Sequence, residues 1–252
     1  MPHSALAGWA FTSLLLGLRV APVFAFAPPF TLTRMPAMFR LLFGLGVCGL
    51  LVASRPQIAS AVDLSLADLV PAALRELLLG AVFVVAFQLM FGALYVAGRT
   101  IDIQAGYGFA LLIDPTSQVQ TPLVGTLFAY GAAAVFFAMN GHADLLRLMA
   151  ASLDAVPIGT GQPPGLGRIA DFISAVFAVS FGIAGGVILC LFLADMAIAM
   201  LARTVPQMNV LVLGFQVKTL LLLLVLPVSF GVGGALFARL ARITLEALPR
   251  LL

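Results

Sequence analysis

The chain has 252 residues, of which 62% are hydrophobic and only 9% are charged, with a formal net charge of +3. A soluble domain carries about 25% charged residues, so this composition excludes an ordinary soluble domain. The basic residues are scattered and form no run, which gives no support for nucleic-acid binding. We therefore predict a membrane protein whose surface is covered largely by lipid or by partner proteins.

Six apolar runs approach the length of about 20 residues that a membrane-spanning helix needs. Several of them contain proline, glycine or a charged residue, and proline kinks a helix because it removes a backbone donor. The pattern predicts an all-α integral membrane protein built from kinked helical hairpins. The runs cover residues 6–30, 39–53, 69–98, 122–140, 172–201 and 210–237.

Three charged residues fall inside these runs: Arg19, Asp195 and Lys218. A charge is costly in lipid and usually faces protein or a water-filled cavity. Asp195 and Lys218 lie on the two arms of the last hairpin, and Arg203 follows Asp195 by eight residues. This placement favours a structural ion pair or a contact with a partner subunit, and a role in proton or ion coupling is the alternative.

A polar, turn-forming segment, residues 104–122 (QAGYGFALLIDPTSQVQTP), separates the third and fourth runs. Gly106 and Gly108 allow unusual backbone angles, and Asp114-Pro115 disfavours helix and initiates a turn. In lipid, irregular backbone is tolerated only where protein covers it or where it lines a water-filled space. The segment therefore indicates a loop or plug facing a lumen, and an ordinary loop outside the membrane is the alternative.

Two aromatic residues, Tyr107 and Phe109, flank Gly108 within this segment. Rings in these positions would meet other bulky groups across a narrow lumen. The later polar side chains are uncharged and suit a wet surface that does not bind ions tightly.

Catalytic chemistry has little support in the sequence. It contains no GxSxG, HExxH or phosphate-binding loop motif. His142 is the one internal histidine, and Cys48 and Cys190 lie inside apolar runs, outside any CxxC pair. We expect no enzymatic activity, no cofactor and no metal site.

A proline- and glycine-rich stretch, residues 157–167 (PIGTGQPPGLG), is the strongest linker candidate. It predicts a boundary between two parts of the chain at about residue 160.

Three stretches together resemble the FliR/SctT family of type III export-gate proteins. Each is weak alone, but their order and spacing are specific, and the resemblance covers roughly residues 9–245. The form of the third stretch favours the flagellar branch over the injectisome branch, although Gln216 stands where many relatives have proline. The stretches are GYGFALLIDPTSQVQTPLVG (106–125), FFAMNGHADLLRLMAASLDAVPIG (136–159) and LADMAIAMLARTVPQMNVLVLGFQVK (193–218).

The resemblance implies a FliP-like part, residues 1–160, fused to a FliQ-like helical hairpin, residues 161–252. Such proteins join FliP and FliQ in a helical hetero-oligomeric pore, with FlhB associated and FlhA nearby. Unfolded flagellar subunits pass through this pore, which lies in the bacterial inner membrane at the flagellar basal body. The homologous injectisome component is the alternative, and a secondary transporter with a site at broken helices or a membrane-embedded enzyme is a more distant one.

The resemblance also implies roles for particular residues. The segment 104–122 matches the plug-like loop at the constriction of the closed channel, with aromatic gasket residues, glycine hinges and a fixed turn. The implied plug residues are Gly106, Tyr107, Gly108, Phe109, Asp114 and Pro115. The implied intramembrane polar or subunit contacts are Arg19, Asp195, Arg203, Gln207, Asn209 and Lys218.

Overall fold

The described part of the chain is almost entirely helical. A computed structural model describes residues 3–32, 35–55, 66–107, 121–161, 165–205, 207 and 209–251. Within these ranges it contains seven α-helices, one short 3-10 helix and no strand. The elements are α1 (His3–Phe26), the 3-10 helix (Phe30–Leu32), α2 (Ala37–Ser54), α3 (Leu66–Ala105), α4 (Leu123–Ala138), α5 (Gly141–Ala155), α6 (Leu166–Thr204) and α7 (Val210–Leu251).

The predicted all-α membrane architecture is confirmed. Among the described residues, helices α1, α2, α3, α6 and α7 are long and apolar enough to cross a membrane. Helices α4 and α5 meet at a bend of 71° and make up a sixth candidate span if they are counted together. Helices α3, α6 and α7 have 40, 39 and 42 residues, so each is about twice the length that a bilayer requires.

The bend between α4 and α5 lies at Asn140, the last residue of the fourth apolar run. Asn140 has a φ of 59°, in the left-handed region that asparagine tolerates better than most residues. By contrast, Pro22 lies inside α1 and Pro71 inside α3 without ending either helix. These two prolines are accommodated within continuous helices, whereas Pro28 and Pro29 lie just beyond the end of α1 at Phe26.

The chain forms two compact units, each assembled from separate stretches of sequence. Unit 1 comprises residues 1–89, 140–173 and 242–252, and unit 2 comprises residues 90–139 and 174–241. Each unit takes residues from both sides of the boundary predicted at residue 160. The division into FliP-like and FliQ-like parts concerns the origin of the chain and stays a prediction.

Helix packing in unit 1 depends on two glycines. A Cβ added to Gly44 of α2 would lie 2.8 Å from Cα of Ala21 in α1. One added to Gly80 of α3 would lie 2.7 Å from the carbonyl oxygens of Leu18 and Arg19. Small residues of this kind let helix backbones approach closely, so α1 is held tightly against both α2 and α3.

A buried charge network lies at the centre of unit 1. The guanidinium of Arg19 donates to both carboxylate oxygens of Glu76, from Nε at 2.7 Å and from Nη2 at 2.9 Å. It also donates to the carbonyls of Ser152 and Val156, at 3.1 and 3.0 Å. Glu76 accepts a further bond from the backbone N–H of Gly159 at 2.9 Å. The network thus joins α1, α3, α5 and the residues that follow α5.

Both charged groups of this network are fully removed from solvent, with side-chain exposures of 1% for Arg19 and 0% for Glu76. A buried charge is tolerated when it is paired and its remaining donors are satisfied. The two-bond geometry and the backbone partners meet that requirement. Arg19, predicted to be costly in lipid, is therefore neutralised inside the protein.

Replacing Glu76 by Gln keeps the shape of the side chain but leaves the Arg19 charge buried without a counter-ion. We expect the free energy of unfolding to fall by about 3–5 kcal/mol, because breaking one side of a buried pair leaves an uncompensated charge. The double replacement of Arg19 and Glu76 by Met should cost less than the single change. Thermal unfolding of the full chain in one detergent measures both effects.

The control is Arg147→Ala, which removes an exposed ion pair with Asp144 within α5. Its unfolding temperature should stay close to that of the unchanged chain, since exposed pairs contribute little. If Glu76→Gln behaved like this control, the network would not stabilise unit 1.

Candidate functional site

The polar segment 104–122 leaves α3 and returns at α4, and its two ends lie within unit 2. Residues 104–107 and 121–122 of the segment are among the described residues. Gly108, Phe109, Asp114 and Pro115 lie outside them, so their predicted roles stay predictions. The site is therefore built from the two stems of the segment and from the helices that contact them.

Gly106 ends helix α3. Its φ is 92°, a conformation that side chains with a Cβ rarely adopt, and its N–H donates to the carbonyl of Ile103 at 3.1 Å. A glycine with positive φ just after the last helical residue is a common helix C-terminus. The direction in which the segment leaves α3 is thus set by Gly106.

The start of α4 is capped by a carboxylate from α3. Both oxygens of Asp102 accept from the backbone N–H of Val124, at 3.2 and 3.3 Å, and Asp102 is only 7% exposed. The residue that precedes α4, Pro122, makes no side-chain cap bond. The first N–H groups of a helix have no partner within it and favour a negative charge. Asp102 supplies that charge and joins the two stems.

Two facing glycines bring the stems into direct backbone contact. A Cβ added to Gly98 of α3 would overlap the backbone of Gly125 in α4. One added to Gly125 would lie 2.9 Å from the carbonyl oxygen of Tyr95. The Asp102 cap and this glycine contact together form the stem clamp, which fixes α3 to α4 on either side of residues 108–120.

The last turn of α3 is also held by the α6–α7 hairpin. The ammonium of Lys218 in α7 lies 2.5 Å from the carboxylate of Asp195 in α6 and donates to the backbone carbonyl of Gln104 at 3.0 Å. The amide of Gln104 donates to the carbonyl of Ile188 at 3.2 Å. A cation at a helix C-terminus satisfies carbonyls that have no helical partner. The ion pair thus fastens the hairpin to the stem.

Tyr107, the last described residue before the gap, packs edge-on against Phe215 of α7, with ring centroids 6.2 Å apart. Beside these rings lies a cavity of about 1040 Å³ between the stems and the hairpin. Its described walls are mostly apolar, and Asp195 and Lys218 are the charged residues among them. The predicted residues Gly106, Tyr107, Asp195 and Lys218 are therefore brought together around one cavity.

The remaining predicted polar residues lie elsewhere. Arg203, Gln207 and Asn209 are exposed at or near the turn that joins α6 to α7. The side chain of Asn209 accepts from the N–H of Val212 at 3.3 Å, which caps the start of α7. Arg19 belongs to unit 1 and its buried network. These four residues take no part in the cavity of unit 2.

Asp102 and Glu76 are not among the residues that the sequence patterns single out, yet each has a central contact. For Asp102 a signal existed: a carboxylate in the last turn of a helix opposes the helix dipole, so it needs donors from another element. For Glu76 the signal was Arg19, because a buried arginine charge is unfavourable unless a carboxylate elsewhere in the chain pairs with it. Gly98 acts through the close approach of its backbone, and Gln104 accepts from Lys218 through its backbone carbonyl, contacts that side-chain patterns do not report.

Among the residues that the structure describes, no group of three His, Cys, Asp or Glu side chains is placed to hold a metal ion. What the site offers is a pair of fixed helix ends, an aromatic contact and one ion pair beside an apolar cavity. Such a site is suited to holding a loop in place.

The family "Bacterial export proteins, family 1" matches residues 10–243 of this chain. Flagellar biosynthetic protein FliR of Bacillus subtilis is 30% identical over 248 residues, which are 95% of this chain and 93% of the relative. FliR of Escherichia coli is 28% identical over 171 residues, 67% of this chain and 61% of the relative. Surface presentation of antigens protein SpaR of Shigella flexneri is 25% identical over 224 residues, 86% of this chain and 84% of the relative.

The helical membrane fold and these matches define a membrane component of a bacterial type III export apparatus. The chain belongs to the FliR/SctT family of these components.

Replacing Gly98 by Ala tests the stem clamp. The added methyl group would overlap the backbone of Gly125, and overpacking of this kind typically costs about 1–3 kcal/mol. We expect a lower unfolding temperature for the full chain in detergent.

The matched control is Gly92→Ala in the same helix, where an added Cβ meets nothing within 4 Å. Alanine is favoured over glycine inside a helix by about 1 kcal/mol, so this variant should be as stable as the unchanged chain or more stable. A Gly98→Ala chain that unfolds no earlier than the Gly92→Ala chain would rule out tight contact between the stems.

Proposed function

We propose that this chain is a core subunit of a flagellar type III protein export gate in the bacterial inner membrane, at the flagellar basal body. With FliP and FliQ it forms the channel through which unfolded flagellar subunits are exported. FlhB associates with this assembly and FlhA lies nearby. The observation that carries the proposal is the stem clamp, which holds both ends of the plug-like segment in a chain of the export family.

The flagellar branch is favoured over the injectisome branch by two observations. The FliR relative from Bacillus subtilis is 30% identical over nearly the whole chain, against 25% for SpaR. The stretch PQMNVLVLGFQVK, residues 206–218, also has the flagellar form. The exported cargo is therefore flagellar rod, hook and filament subunits in an unfolded state.

The stem clamp supports a plug role because it fixes where the segment lies without fixing the conformation of the segment itself. The stems are fixed by Asp102, by the glycine contact and by Lys218, so the loop is presented at one place whatever its own shape. Tyr107 and Phe109 serve as gasket residues and Gly106 and Gly108 as hinges, while Asp114 and Pro115 fix the turn. A loop without charge at its aromatic tip seals against ions and still yields to a passing polypeptide.

The exposed face of α7 supports assembly with neighbouring subunits. Leu220, Leu224, Val228 and Val232 recur every four residues and are each more than 60% exposed. Such a stripe lies on one side of a helix and is available to a partner helix or to lipid. The polar residues at the hairpin turn, Arg203, Gln207 and Asn209, supply directional contacts at the end of the same surface. The chain acts by assembly and gating, without catalysis.

Deleting residues 108–113 tests the plug. The stem contacts all lie outside the deletion, so the chain should still copurify with FliP and FliQ. Without Phe109 and the Gly108 hinge, the reconstituted complex should conduct small ions above the level of the intact complex. Electrical recording in planar bilayers measures the conductance.

A deletion complex that assembles and remains as ion-tight as the intact one would contradict the plug. A chain that is stable, monodisperse and active in transport without FliP and FliQ would instead support a secondary transporter.

Replacing Lys218 by Met tests whether the hairpin positions the stem. The change removes the bond to the Gln104 carbonyl and leaves Asp195 unpaired, so we expect an ion leak from a complex that still assembles. Adding Asp195→Asn should not close the leak, because the bond to Gln104 stays missing. Conductance is again the readout.

Arg239→Met, at an exposed position of the same helix, is the control and should stay tight. If the Lys218→Met complex conducted no more ions than this control, the hairpin would have no part in sealing the channel.

A further inference from the structure

Helix α7 contacts the end of α3 through two side chains that are three residues apart. Lys218 donates to the backbone carbonyl of Gln104 at 3.0 Å. Phe215 packs edge-on against Tyr107, which follows Gln104 by three residues, with the ring planes at 67°. Residues three apart lie on the same face of a helix, so a single face of α7 makes both the polar and the aromatic contact.

The ring of Tyr107 lies beyond the helix that carries it. Helix α3 ends at Ala105, and Gly106 then turns the chain with a φ of 92°. Glycine restricts the backbone less than other residues do, so α3 alone does not hold the next side chain in one place. Phe215 supplies a contact from a second helix, with the ring centroids 6.2 Å apart.

The cavity beside the two rings gives Tyr107 room to move. Its volume is about 1040 Å³, and both Tyr107 and Phe215 line it. Phe215 is 46% exposed, so its ring is not enclosed by the packing of the hairpin. An edge-on aromatic pair changes an equilibrium by roughly two- to tenfold. The contact therefore favours one position of Tyr107 without locking it there.

We propose that Phe215 is a positioning residue of the seal: its ring holds Tyr107 at the point where the segment leaves α3. The inference rests on the proposed function, because the position of Tyr107 matters to sealing only if the segment is a plug. Lys218 fixes the last turn of the stem, and Phe215 fixes the first side chain beyond Gly106. A passing polypeptide separates the two rings, and Tyr107 moves into the adjoining cavity.

The test compares complexes of the full chain with FliP and FliQ in planar bilayers. Phe215→Ala should raise the time-averaged ion conductance roughly two- to tenfold. Phe215→Leu, which lacks the ring, should have the same effect, whereas Phe215→Tyr keeps the ring and should conduct no more than the unchanged complex. The matched control is Phe192→Ala in α6, because Phe192 has a similar exposure of 49%. It should not raise the conductance.

A double variant shows whether Phe215 acts through Tyr107. Tyr107→Ala should itself leak, and adding Phe215→Ala should raise the conductance no further. A higher conductance in the double variant would show that Phe215 acts elsewhere, and the proposal would be wrong. Failure of both Phe215→Ala and Phe215→Leu to copurify with FliP and FliQ would also overturn it, because Phe215 would then be an assembly residue.

The deletion of residues 108–113 separates this inference from the proposed function, since Tyr107 and Phe215 both lie outside the deletion. If the deletion complex leaked and the Phe215→Ala complex stayed tight, the positioning role alone would be wrong. If both complexes stayed tight, the plug itself would be contradicted.

Discussion

The end of helix α3 is the point on which the candidate site depends. Helix ends carry backbone groups without partners in the helix, and the polar contacts of Asp102 and Lys218 use such groups. Asp102 accepts from the first turn of α4, and Lys218 donates to the last turn of α3. The facing glycines, Gly98 and Gly125, bring the two backbones close enough for the cap to form. The contacts that satisfy these helix ends therefore also fix the position of the segment between them.

The chain has few charged residues, and most of the buried charged side chains are paired. The Arg19–Glu76 pair closes unit 1, and the Lys218–Asp195 pair fastens the hairpin of unit 2. Lys218 also bonds to a backbone carbonyl, which suits a fixed structural cation better than a carrier of protons. With these charges paired inside the protein, the exposed surface of the long helices is mostly apolar. That surface is what lipid and partner helices require.

The sequence predicted the architecture well where local patterns decide it. Each apolar run contains a helix, and the pairing of Asp195 with Lys218 followed from their positions on adjacent arms of one hairpin. The contacts that it did not predict join distant residues: Arg19 and Glu76 are 57 positions apart, and Asp102 and Val124 are 22 apart. The bend at Asn140, the last residue of the fourth apolar run, was not predicted, because it depends on the backbone conformation of one residue. Pro22 and Pro71 lie inside continuous helices, since packing overrides local propensity.

The central claim is that the clamped stems present their segment in the path of an exported polypeptide. Site-specific photo-crosslinking tests it most directly. A photoreactive amino acid is placed at Tyr107, or at Tyr130 on the exposed side of α4, in cells that carry an export substrate arrested in transit. The account predicts crosslinks between position 107 and the arrested substrate, and none at position 130. A substrate that crosslinks at position 130 but not at position 107 would contradict it.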